Sequence, residues 1–183
     1  MAMALSHEVR GLQVTAFKTS PGILAAMLWG GKKLRAPDRS FELTYPKDWV
    51  CEAEDSETYR LRRADAPIGT LRVTPFSIEG SPTERSMFLD EKEKEFRIPL
   101  KGETKVTAVK RMALEPFMSK DGLFRMAIGE EDGIPVVVSY WLWCGRTSAV
   151  TATYVAPNIP RAGREGEHEF DVVSKMMLKM IVR

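Results

Sequence analysis

Apolar and polar positions alternate along most of this chain, and that period predicts strands more often than helices. The pattern is clearest in SFELTYPKDW, residues 40–49. Phe41, Leu43 and Tyr45 alternate with Glu42 and Thr44, so one face of the segment is apolar and the other polar. Pro46 has no N–H to give a sheet ladder and ends the strand. Lys47-Asp48 then turns, and Trp49 returns the chain to an apolar site. A short strand, Lys33–Ala36, precedes this segment across the turn Pro37-Asp38-Arg39-Ser40. Three more follow: Val50–Glu54, Thr58–Arg63 with Tyr59 and Leu61 against Arg60 and Arg62, and Gly69–Ile78. Short strands joined by polar turns predict an antiparallel run with one wet face.

The helical period appears twice. Ser81 as N-cap, Pro82 at the first position and Glu84 at the third form a capping box: the hydroxyl takes an orphan N–H and the carboxylate reaches back. Phe88, Leu89, Lys92 and Phe96 make its stripe, the run DEKEKE at 90–95 is its solvated face, and Pro99 ends it. The second helix is expected from about Glu167 to Ile181. Phe170, Val173, Met177, Met180 and Ile181 form its apolar stripe, Val172 and Met176 flank it, and Asp171, Ser174, Lys175 and Lys179 lie opposite.

Between the helices the pattern reads as a meander. Lys105–Arg111, Met112–Met118 and Leu123–Ile128 are strand-like, with a hairpin turn at Ser119-Lys120-Asp121-Gly122 and another at Glu130–Gly133. Ile134–Cys144 is apolar on both faces, which predicts a strand inside the sheet. Gly145-Arg146 turns the chain and Thr147–Val155 pairs back. Residues 1–31 differ from the rest and are set apart as an N-terminal extension, with 32–183 as a single α+β domain. Ile23, Leu24, Met27 and Leu28 have helical spacing before Gly30-Gly31. The extension is either a short docking helix or a mobile tail, and Met27 is an alternative start.

Composition narrows the picture only slightly. At 183 residues, 44% hydrophobic and 28% charged, the chain is an ordinary globular one. A net charge of +2 gives no field that would favour nucleic acid or a membrane surface. No run approaches the roughly 20 apolar residues of a membrane span, and no secretory signal is evident, so a cytoplasmic location is expected. Cys51 and Cys144 are either reduced core thiols or one disulfide between neighbouring strands.

Candidate chemistry is sparse. The two histidines, His7 and His168, lack the spacing of a zinc site, and neither a G-x-S-x-G elbow nor a phosphate loop is present. No catalytic, cofactor or metal residue is assigned. Trp141 and Trp143 share a strand face, where they either pack under a helix or line a small apolar cavity. Met176, Met177 and Met180 are either core or an adaptable groove for a partner helix. Arg60, Arg62 and Arg63 beside Tyr59 are either edge protection or a nucleic-acid contact, and Arg60 and Arg62 are kept as possible partner contacts. These seven residues are the candidate partner or ligand surface.

Residues 33–49, KLRAPDRSFELTYPKDW, resemble the opening of the PsbP-like superfamily, which includes the photosystem II extrinsic subunit P and a Ran-binding nuclear-transport factor. The Phe41-x-Leu43-x-Tyr45-Pro46-x-x-Trp49 hairpin and the Gly69–Ile78 strand carry the likeness. The capped helix, meander and closing helix follow in the same order over residues 32–183. The resemblance implies a twisted antiparallel sheet packed between helices in an α/β/α sandwich. It also implies non-catalytic protein binding, as in accessory, assembly or chaperone-like factors of the bacterial branch. No site residue carries over from it. The expectation is therefore a protein-binding module without cofactor or nucleic acid, its partner another protein or a further copy of itself. The alternative is a helix-grip carrier of a small apolar ligand.

Overall fold

The computed structural model describes residues 31–78, 81–113, 121–158 and 163–183. Two sheets and two helices form an α+β fold. Lys32–Arg35 (β1), Phe41–Tyr45 (β2) and Ile181–Val182 (β10) make a three-stranded antiparallel sheet with β2 in the middle. The larger sheet has seven strands. In spatial order they are Trp49–Ala53 (β3), Tyr59–Arg63 (β4), Thr70–Ser77 (β5), Ser148–Pro157 (β9), Ile134–Cys144 (β8), Asp121–Glu131 (β7) and Glu103–Ala113 (β6). Every neighbouring pair is antiparallel.

The helices lie on opposite faces of that sheet. Alternate residues of a strand point to opposite sides, and β8 shows both. Trp141 and Trp143 face a core made with Val173, Met176 and Met177 of Gly163–Lys179 (α2) and with Phe41 and Leu43 of β2. Leu142 and Cys144 face the other way, onto Leu89, Phe88 and Phe96 of Pro82–Phe96 (α1). With both faces covered, β8 is apolar throughout and sits between β9 and β7, inside the sheet. The two cysteines fall in separate cores and are free thiols.

Local signals place most elements. The α1 capping box is present: Glu84 N–H donates to Ser81 Oγ at 3.3 Å and Ser81 N–H to Glu84 Oε2 at 2.6 Å. The Asp132-Gly133 turn between β7 and β8 has positive φ at both residues, 52° and 77°. That geometry suits the right-handed twist of a two-residue hairpin.

Three expectations are corrected. Asp121-Gly122 is not a turn but the start of β7, opposite Cys144 and Trp143. Glycine is required there because the indole lies on its backbone: an added Cβ would be 2.2 Å from Trp143 Cε3. The two strands expected at Lys105–Arg111 and Met112–Met118 begin as one, β6, which runs through Ala113, with residues 114–120 outside the described set. The closing helix runs Gly163–Lys179, so Ile181 has left it. Ile181 pairs with Glu42 in the small sheet and is half exposed, while Val182 beside it is buried opposite Phe41. The expected N-terminal extension also lies outside the described residues, apart from Gly31.

Candidate functional site

Five of the seven residues singled out from the sequence are interior. Trp141, Trp143, Met176, Met177 and Met180 are each 3% exposed or less. Trp141 packs against Phe124 at 5.3 Å and Phe170 at 6.1 Å between ring centroids. These side chains fill one another's space and offer no surface to a partner, so the expected Trp/Met groove is the seam between α2 and the sheet. The indole rings and thioethers are large enough to close the gap between a helix and a pleated face.

Arg60 and Arg62 lie on the opposite face of the large sheet and are engaged there. Arg60 bonds Glu52 at 2.7 Å, Arg62 reaches the same carboxylate at 3.5 Å, and Arg72 bonds Glu54 at 2.8 Å. Arg60 and Arg72 are directly opposite in the ladder. Like charges in that position repel, and the ion pairs with Glu52 and Glu54 offset it. The Arg60 hydrogen bond, with Arg62 beside it, holds Glu52 below the ordinary carboxylate range. The ladder cross-links three strands at the surface.

A different surface remains on the face that carries the tryptophans. Going along β7 and β8 toward their hairpin, the cross-strand pairs on that face are Phe124 with Trp141, Met126 with Ser139, and Ile128 with Val137. Ala156 of β9 stands opposite Val137. Met126, Ile128 and Val137 are half-buried and belong to neither buried cluster. The α2 side chains in the core begin at Phe170 and run toward the C-terminus of the helix, over the tryptophans. The strip therefore continues the apolar face beyond the side chains that α2 contributes to the core. On its outer margin β6 sets Lys105 opposite Ile128 and Lys110 opposite Phe124. Ser139 is fully buried in the middle of the same face, and its Oγ has no hydrogen-bond partner. A buried hydroxyl left unpaired costs about 1–3 kcal/mol.

The sequence reading missed this strip because it weighted Trp over Met126, Ile128 and Val137. The available signal was the length of the β7–β8 apolar run, which exceeds what α2 can cover. It also missed Glu169, a charged residue near the start of α2 that is 1% exposed. Glu169 Oε1 accepts from Gly69 N–H at 2.8 Å and Tyr154 Oη at 2.9 Å, and Oε2 accepts from Ile68 N–H at 3.4 Å. Burial, with Glu169 alongside, raises the Tyr154 phenol well above its ordinary pKa. Glu169 ties the second turn of α2 to the Ile68–Gly69 backbone and to β9. Among the described residues no group of three His, Cys, Asp or Glu side chains is placed to hold a metal, and no helix is long and apolar enough to cross a membrane.

The fold and this surface define an α+β protein with a mostly antiparallel sheet. No protein-family model matches the chain, and no curated protein matches it. Among solved structures it is similar to a protein of Bacteroides thetaiotaomicron, with 16% identity and a TM-score of 0.56 over 84% of this chain. The match covers 48% of that protein, so this chain spans about half its length. It is also similar to LpqN of Mycobacterium tuberculosis, a protein involved in cell envelope biogenesis: 13% identity, TM-score 0.54, 82% of this chain and 89% of that one. A protein of unknown function from Pseudomonas aeruginosa matches at 11% identity and a TM-score of 0.43, over 79% of this chain and 94% of that one. At these identities the first two likenesses establish the fold.

Proposed function

We propose that this chain is a non-catalytic protein-binding module of PsbP-like type, an accessory or chaperone-like factor acting in the cytoplasm. Its docking surface is the strip Met126–Ile128–Val137. The observation that carries the reading is the half-buried aliphatic row on the sheet face, outside the core that α2 closes. Completing the burial of three aliphatic side chains contributes on the order of 3 kcal/mol. That suits an apolar segment of another protein laid across the strands. Lys105 at the margin favours an acidic residue flanking that segment. The small-ligand alternative is less well supported, because Trp141, Trp143 and the α2 methionines are occupied by one another.

Site-specific photo-crosslinking in cells tests the reading. A crosslinker at Ile128 is expected to capture a protein that one at Lys47 does not, and Val137→Glu is expected to abolish capture without lowering the melting temperature by more than a few degrees. Equal capture from both positions, or capture indifferent to Val137→Glu, rules the strip out.

A further inference from the structure

A second apolar surface lies elsewhere, at one tip of the large sheet. Ile98 is 63% exposed, Leu100 51% and Ile134 51%. The first two belong to the link between α1 and β6, and the third opens β8. A backbone hydrogen bond ties the link to the hairpin that carries Ile134. Gly102 O accepts from Glu130 N–H at 2.9 Å, and the next residue, Glu131, stands opposite Ile134.

The link is held rigid from beneath. Arg125 is 1% exposed and bonds both carboxylate oxygens of Glu103, one of them at 2.9 Å. It also donates to Ile98 O at 3.1 Å, and Glu103 Oε2 accepts from Leu100 N–H at 2.7 Å. A buried ion pair gains little net stability against its desolvation, and its best-attested use is to fix geometry. Here it fixes a loop that holds two large aliphatic side chains in water.

Charge around the tip is divided in two. The link carries Arg97 and Lys101, and the hairpin carries Glu130, Glu131 and Asp132. Arg97 pairs with Glu93 at 2.7 Å. Among the described residues Lys101, Glu130, Glu131 and Asp132 form no ion pair. An apolar centre with a basic half and an acidic half is complementary to itself under two-fold rotation.

We propose that a second copy of this chain docks on this tip, about a two-fold axis that sets residues 97–101 of one copy against residues 130–134 of the other. Each Lys101 then meets the partner copy's acidic hairpin, and the isoleucines and leucines meet near the axis. Three side chains a copy fall well short of the ~1,600 Å² of a standard interface, so the dimer is weak and depends on concentration. It uses neither the strip nor α2, so its failure leaves the function proposed above untouched.

Sedimentation equilibrium on the full chain tests it between about 10 and about 500 µM, a range chosen for a dissociation constant of tens of micromolar. Lys101→Glu and Glu131→Lys are each expected to weaken self-association at least tenfold, because each sets like charges together twice. Mixing the two variants is expected to restore a heterodimer as tight as wild type or tighter, since both contacts then become attractive. Ile134→Ser, which changes no charge, is expected to weaken it as well. All three positions are exposed, so melting curves stay at the wild-type value. A wild-type chain that remains monomeric throughout overturns the proposal. So does a dimer indifferent to these substitutions, or a mixture no tighter than either variant alone.

Discussion

Glu169 Oε1 accepts a hydrogen bond from the Gly69 amide at 2.8 Å, joining the first turns of α2 to the start of β5 across 100 residues of chain. Tyr154 Oη donates to the same oxygen, and Arg63 Nη1 stands 4.0 Å from the other one. Glycine is needed at 69 because a Cβ there would lie 2.5 Å from the Tyr154 ring. The group is a latch for the helix, closed by a carboxylate that its donors surround.

Removing the carboxylate leaves those donors buried and unpaired. Glu169→Ala is expected to cost about 3 kcal/mol in urea denaturation, in the range for hydrogen bonds to a charged group. Glu169→Gln keeps an oxygen for Gly69 and is expected to lose less than half as much. Equal losses for the two variants would mean that the side chain acts through packing instead.

Stability is expected to fall on the alkaline side. Tyr154 is raised by burial and the neighbouring carboxylate, and Cys144 is pushed up to about 11 by burial, with Asp121 adding to it. A raised folded-state pKa favours the neutral form in the native protein. Its contribution is complete below the ordinary value and is lost as pH rises toward the folded one. The melting temperature is therefore expected to hold to about pH 8.5 and decline above it, where unfolded Cys and then Tyr ionise. Tyr154→Phe lowers the plateau but flattens the slope above pH 10, which a melting series in borate and carbonate buffers reads directly.

Gly122→Ala is expected to destabilise by at least about 2 kcal/mol, in the overpacking range. The new methyl meets the Trp143 ring and, at 2.5 Å, the Leu142 carbonyl oxygen, and a backbone oxygen cannot turn aside as a side chain can. A red shift in tryptophan emission with the loss would place the strain at Trp143.

Breaking the Arg125–Glu103 pair from one side strands a charge in the interior. Glu103→Gln is expected to cost about 3–5 kcal/mol, while the double change Arg125→Met with Glu103→Leu recovers most of it. The double variant is also expected to self-associate less than wild type, because the link carrying Ile98 and Leu100 loses its anchor.

Much of the fold was legible along the chain because it rests on neighbours in sequence. The alternation at Phe41–Tyr45, the Ser81–Glu84 box and the Asp132-Gly133 turn each act over a few residues, and each appears where the pattern puts it. The interior place of Ile134–Cys144 was legible too, since a strand apolar on both faces has to be covered on both. Tertiary structure alone decided the rest. Asp121-Gly122 has the composition of a turn, yet the Trp143 indole, brought over it by pairing, requires a strand with no side chain there. Ile181 continues a helical stripe, yet the free edge of β2 takes it into a sheet. Ser174 and Glu169 look like residues of a wet helix face, yet both are buried, and the β4–β5 loop closes over Glu169. Which apolar residues become core and which stay as surface depends on which helix side chains reach them across the sheet. Periodicity names the face of a strand but not how far its cover extends.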